Sequence, residues 1–139
     1  MVEAATVRRL LETIEQRLSR LERAAESSLE EYLNDPDLRD IVERNLEIGI
    51  QACIDLGLHV LADFQAPLPE TNREVFRGLL REGIIDEDLS HRLERMAGFR
   101  NLLAHAYAEV IGERVHAALG ELDDVREYVT RVTDFLGPE

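Results

Sequence analysis

Tryptophan and lysine are absent from this chain of 139 residues, and it holds a single cysteine. One cysteine cannot close an intrachain disulfide, so stability must come from a packed core, and the length suffices for one domain with such a core. Cys53 sits inside an apolar helical pattern and reads as the inert buried thiol of a cytoplasmic protein. Prolines number four and glycines eight. A β-sandwich would need more turn residues and more β-branched runs, so the composition favours a helical bundle. No apolar run approaches the ~20 residues that cross a bilayer. The opening residues Met1-Val2-Glu3-Ala4-Ala5-Thr6 lack the basic start and apolar stretch of a secretory signal, which points to the cytoplasm and away from membranes.

Basic charge is also scarce. Sixteen arginines face twenty-nine acidic residues, for a formal net charge of −13. Phosphate neutralisation ordinarily needs a basic surface, so any nucleic-acid site must be a local cleft on an acidic body. Every basic side chain is Arg, whose rigid fork binds phosphate or carboxylate and stays charged when partly buried. Codon bias is the plain reading of the missing lysines.

What is present is helical periodicity. Val7, Leu11, Ile14, Leu18, Leu21, Ala25, Leu29 and Tyr32 recur every three or four residues, which predicts one long helix ended by Asn34-Asp35-Pro36. A second helix is expected over about 36–64, opened by Asp35 as cap and Pro36 at its first position. It carries apolar residues on two sides, so it must be covered on two sides. Gly49 and Gly57 in its interior suggest close approach by another helix. After the Gln65–Glu70 loop, Thr71 and Glu74 form a capping box for a short helix that Gly83 closes. Asp86 caps a fourth helix through Leu103. A connection near Gly112 leads to the last, from Val115 to Phe135, and Gly137-Pro138 ends it. The fold expected is all-α: an antiparallel bundle of four long helices plus one short helix.

The run Arg100-Asn101-Leu102-Leu103-Ala104-His105-Ala106-Tyr107 sets a guanidinium, a carboxamide, an imidazole and a phenol among apolar neighbours. On a regular helix Asn101 and His105 share one face and Arg100 and Tyr107 another, while Arg100 and His105 diverge by about 140°. Convergence needs Arg100 to reach around, the helix to loosen near Ala104, or a second subunit to complete the site. The last is favoured, as a composite cleft at a dimer interface. These groups suit RNA cleavage without metal or cofactor. His is the natural base for a 2′-hydroxyl, and Arg steadies charge on the phosphoryl oxygens. Taken alone, an Arg and a His five apart are more often a solvated Arg beside a core His.

Arg100-Asn101-xxx-His105-x-Tyr107 resembles the R-x4-H-x-Y signature of HepT toxins, a subset of the HEPN superfamily. The resemblance extends to the Glu43–His59 stretch, the Phe76–Leu80 helix, Gly83-Ile84-Ile85 and Met96–Phe99, and so covers most of the chain. It implies one HEPN domain over 1–139 and a homodimeric, metal-independent endoribonuclease, the toxin of a toxin–antitoxin system. Arg100 and His105 would be the catalytic pair, with Asn101 in support. It also implies an MNT-type nucleotidyltransferase antitoxin that transfers AMP onto Tyr107 and silences the enzyme. Ala106 stands where the pattern often has an acidic residue, so the charge beside Tyr107 differs. The alternative is a non-catalytic HEPN subunit that binds nucleotide or partner within a nucleotidyltransferase complex.

Asp55 and His59, four apart on the second helix, could pair and lend support to the site, though a structural pair is the simpler reading. His91 and His116 are expected in solvent, and Tyr32 and Tyr128 in packing. The acidic pairs show no metal-ligand spacing and read as caps and wet faces.

Overall fold

The computed structural model describes residues 3–105 and 108–138, the side chains of 105 and 108–111 excepted, and every described element is helical. The order is α1 (Ala4–Ala24), α2 (Leu29–Leu33), α3 (Pro36–Leu61), α4 (Asn72–Arg81), α5 (Glu87–His105) and α6 (Ala108–Ala118), then a 3₁₀ turn (Leu119–Glu121) and α7 (Asp123–Leu136). The all-α bundle expected from periodicity is observed.

Helix α3 holds the centre because it is apolar on two sides: Val42, Cys53, Leu56 and Val60 are buried, and so are Ile50, Ile54 and Leu61. It touches α1, α2, α4, α5 and α6. Asn45, the buried polar residue midway along it, is satisfied at both ends of its amide. Its Oδ1 accepts from Arg17 Nη1 at 3.1 Å and its Nδ2 donates to the Ile41 carbonyl at 2.7 Å. The expected close approach at the interior glycines is present. A Cβ built on Gly57 would meet Val75 Cγ1 at 2.5 Å and the Tyr128 hydroxyl at 3.1 Å, so α4 and α7 both lean on that bare backbone.

Capping residues end these helices as their chemistry dictates. Asp35 accepts from the Leu38 amide and Thr71 from the Glu74 amide, opening α3 and α4. At the end of α4, Gly83 takes φ +75°, the Ile84 amide donates to the Leu79 carbonyl at 3.0 Å and the Gly83 amide to that of Leu80 at 3.0 Å. That is a Schellman closure, with Ile84 and Leu79 both buried beneath it.

Two boundaries differ from expectation. The apolar stripe read as one helix up to Tyr32 is broken into α1 and α2. Ser28 accepts from the Glu31 amide while Glu31 accepts from the Ser28 amide, and Ser27 Oγ donates to the Ala24 carbonyl at 2.7 Å. These local bonds outcompete the helical ladder, and the register shift buries Ala24 rather than Ala25. Gly112 is no connection. It lies buried inside α6, where a Cβ would come within 2.9 Å of Leu33 Cδ2. Among the described residues past 108, the interruption falls at Leu119–Glu121 instead, just before Asp123 and Asp124, which occupy the first turn of α7 where negative charge is favoured. The last long helix is therefore two.

Arginines tie the outer helices together. Arg92 of α5 binds Asp124 at 2.6 Å and Glu127 at 2.9 Å on α7, Arg131 binds Asp86 at 3.0 Å, and Arg126 joins Glu22 of α1 to Asp123. Between α4 and α5, Arg77 holds the buried Glu94 at 2.6 Å. Among the described residues, no helix is long and apolar enough to cross a membrane.

Candidate active site at the end of the fifth helix

Asp86 starts α5 by accepting from the Leu89 amide at 2.8 Å. Leu89, Leu93 and Ala97 then form its fully buried stripe. The next position on that stripe, three residues on, is Arg100, so the core ends where a guanidinium begins. Arg100 is half-buried, its Nε is inaccessible, and it makes no hydrogen bond or ion pair with any described residue. A buried donor left unmatched is costly, and this one lies in a chain rich in carboxylates. Asn101 follows it on the exposed side.

Helix α5 runs unbroken through His105, its last residue. Loosening near Ala104 therefore does not bring Arg100 and position 105 onto one face, and the divergence of about 140° stands. The His105 side chain and the whole of Tyr107 lie outside the described residues, as does Ala106.

The other expected pair does not form. Asp55 accepts from Gln51 Nε2 at 2.9 Å, not from His59, which stands exposed in the last turn of α3. Neither hydrogen-bonds to Arg100 or Asn101. His91 is exposed as expected, but His116 is not free in solvent. Its Nε2 lies 2.8 Å from the Ser27 carbonyl and its ring packs on Tyr32, so it seals the break between α1 and α2 against α6. Tyr32 and Tyr128 are packing residues. Burial, with the nearby charge of Glu43 adding, pushes the Tyr32 hydroxyl up to about 12. The Tyr128 hydroxyl, also raised by burial, donates to the Cys53 carbonyl at 2.8 Å. Burial likewise pushes the Cys53 thiol up to about 12, leaving it unreactive.

One residue beside the motif escaped sequence reasoning. Arg73, in the first turn of α4, lays its guanidinium across the backbone of Gly98 on α5. A Cβ built on Gly98 would stand 2.2 Å from Arg73 Nη2, 3.0 Å from Cζ and 3.2 Å from Nε. A glycine in a helix interior was the signal that something rests there. A separate cleft of about 290 Å³ opens beside α1, α3 and α5. It is lined by Ile14, Leu46, Met96 and Phe99 with Arg17 and Arg95 among its polar walls, and it stops one residue short of Arg100. Among the described residues, no three His, Cys, Asp or Glu side chains gather as a metal would require.

Comparison with known proteins shows what the chain as a whole is similar to. The family described as ribonuclease HepT-like matches residues 14–132. The mRNA nuclease HepT of Shewanella oneidensis is 31% identical over 100 residues, covering 71% of this chain and 75% of that protein. The tRNA nuclease HepT of Aphanizomenon flos-aquae is 29% identical over 136 residues, covering 97% and 92%. Among solved structures, a tri-AMPylated Shewanella oneidensis HEPN toxin in complex with an MNT antitoxin superposes with a TM-score of 0.84 at 25% identity, covering 94% of this chain and 98% of that one.

Proposed function

The chain belongs to the HepT-like ribonuclease family, and on that premise we propose that it is the endoribonuclease toxin of a toxin–antitoxin pair, its cleavage centred on Arg100 and His105. The observation that carries the reading is Arg100 itself: a half-buried guanidinium that ends the apolar stripe of α5 with a buried, unmatched Nε. A cation so placed is prepared for an anion from outside, and its fork suits a phosphodiester.

The chemistry needs no metal. His105 takes the proton of a ribose 2′-hydroxyl, and that oxygen attacks the adjacent phosphorus. The bond to the 5′-oxygen breaks, the leaving oxygen is protonated, and a cyclic phosphate remains. Arg100 holds the phosphoryl oxygens as charge builds on them, and Asn101 orients base or phosphate. Because one regular helix keeps Arg100 and position 105 apart, two copies of the chain share the cleft, each completing the other's site.

The control proposed is adenylylation of Tyr107 by an MNT-type nucleotidyltransferase antitoxin. The relative's tri-AMPylated complex supports this reading. A phosphodiester and a purine beside His105 would fill the cleft and repel RNA. Asp55 and His59 are left a supporting role at most.

The test is direct. Unmodified chain purified without the nucleotidyltransferase is incubated with labelled single-stranded RNA in chelator. Cleavage is expected, falling at least a hundredfold in Arg100→Ala and His105→Ala. Coexpression with the nucleotidyltransferase should add AMP mass to the wild type and not to Tyr107→Phe. Intact RNA after incubation with the unmodified wild type would sink the reading and favour a binding subunit.

A further inference from the structure

The contact between Arg73 and Gly98 goes against the local preference of both residues. Glycine is among the poorest residues for a helix interior, and Gly98 lies well inside α5. A cation is disfavoured in the first turn of a helix, where the backbone dipole is positive, and Arg73 is the second residue of α4. Both features converge on one arrangement: Nη2, Cζ and Nε of Arg73 all lie over the space where a side chain at 98 would be.

That arrangement leaves the cation exposed and uncommitted. Arg73 makes no hydrogen bond or ion pair with a described residue. The nearest carboxylate in sequence, Glu74, is occupied elsewhere, since its Oε2 accepts from the Glu70 amide at 2.8 Å. The neighbouring Arg77 shows what a structural arginine looks like here, clamped on the buried Glu94 at 2.6 Å. Arg73 has a seat but, among the described residues, no carboxylate partner.

Helical register says what the seat faces. Gly98, Asn101 and position 105 fall within about 60° of one another around α5, whereas Arg100 lies about 160° from Gly98. Arg73 therefore puts a guanidinium on the flank that carries Asn101 and His105, the flank that Arg100 does not serve. Along the axis, Gly98 precedes position 105 by about 10 Å, at 1.5 Å per residue. A cation held there is too far along the helix to clamp the phosphate that His105 works on, and suits a neighbouring phosphate of the same strand.

We propose that Arg73, seated in the notch at Gly98, is an RNA-backbone anchor that binds a phosphate next to the scissile one and aligns the strand along the Asn101–His105 flank of α5. The inference rests on the ribonuclease reading and extends it to a second cation from another helix. The fork grips phosphate without reading a base, so Arg73 contributes affinity and register and leaves base choice to other groups.

The test uses full-length, unmodified chain and a labelled single-stranded oligoribonucleotide. In a His105→Ala background, which binds without cutting, the dissociation constant is followed over a tenfold range of salt. Arg73→Ala should shrink the slope of log affinity against log salt by about 0.7, the contribution of one single-strand phosphate contact. With His105 intact, Arg73→Ala should raise KM several-fold and leave kcat nearly unchanged, as expected for lost uniform binding. Gly98→Ala should reproduce that defect by filling the seat, yet add nothing in an Arg73→Ala background. An unchanged slope and KM in Arg73→Ala, with the wild type still cutting RNA, would overturn the anchor alone. So would a Gly98→Ala defect that persists in full without Arg73. If the unmodified wild type neither binds nor cuts RNA, the ribonuclease reading falls and the anchor falls with it.

Discussion

Two helix-interior glycines should answer the same substitution with opposite signs. Alanine is favoured over glycine in a helix interior by about 1 kcal/mol, so Gly98→Ala and Gly57→Ala begin with the same gain. Surroundings decide the outcome. At Gly98 the three atoms nearest the new methyl all belong to the far end of Arg73, an exposed side chain able to swing into solvent. Most of the gain survives, and a stabilisation of about 0.5–1 kcal/mol is expected. At Gly57 the methyl would lie 2.5 Å from Val75 Cγ1 and 3.2 Å from Leu79 Cδ1, with the Tyr128 hydroxyl at 3.1 Å. Those neighbours are 0–1% exposed and enclosed by the core. Overpacking of that kind costs roughly 1–3 kcal/mol, enough to cancel the propensity gain and reverse it. Thermal and urea unfolding at one protomer concentration would read both, with Gly98→Ala raising Tm by about 3 °C and Gly57→Ala lowering it. A Gly98→Ala protein destabilised by more than about 0.5 kcal/mol would refute the reasoning, because the guanidinium would then be a structural brace and not a cation waiting for a ligand. Stability gained at the expense of RNA affinity is the pattern a functional glycine should give.

Other expectations follow from named contacts. The Asp86 carboxyl is held below its ordinary 3.8, chiefly by the Leu89 amide and then by Arg131. A depressed carboxylate stabilises above its unfolded pKa and loses that contribution as pH falls through its folded value. Asp86→Asn should therefore lower Tm near neutrality, with the gap from wild type closing below about pH 4; a gap constant from pH 7 to pH 3 would contradict this. Cys53, buried and with its thiol pushed up to about 12, should alkylate only as the protein unfolds in urea. Immediate labelling of the native chain would show the core to be open. Tyr128→Phe removes the 2.8 Å bond to the Cys53 carbonyl and should cost about 1 kcal/mol in urea unfolding.

Helix starts and stops with a side-chain cause were legible in the sequence, and those set by packing were not. Asp35-Pro36, the Thr71 cap, Gly83 and Asp86 each carry their signal within four residues, and each ends or opens a helix as read. The α1–α2 break was masked because Tyr32 kept the spacing of three and four on the far side of Ser27-Ser28. The Ser28–Glu31 capping box that opens α2 interrupts the helix while the apolar spacing carries on across it. Gly112 departs from expectation for the opposite reason. Nothing nearby in sequence says that Leu33 will fill the space beside it, and without that contact a glycine looks like a turn. The site divides in the same way. Arg100 and Asn101 are visible as a polar interruption of an apolar run, whereas Arg73 depends on a crossing of α4 and α5 that no local pattern encodes.

Net charge is a poor guide to what RNA would meet at this molecule. Arg77, Arg92, Arg126 and Arg131 are each held by carboxylates of other elements, so four of the sixteen arginines are engaged in holding the bundle together. Arg73 and Arg100 are not so held, and both sit on or against α5. At physiological salt the Debye length is about 8 Å, so a phosphate in contact with either guanidinium is governed by it more than by the acidic surface beyond. The acidic body also bears on the proposed control. An added phosphodiester at Tyr107, seven positions after Arg100 in sequence, would offset part of the local attraction that such a guanidinium offers. Under the proposed control, each adenylate adds negative charge to a body whose formal net charge is already −13, so modification and the acidic surface act in the same direction against RNA.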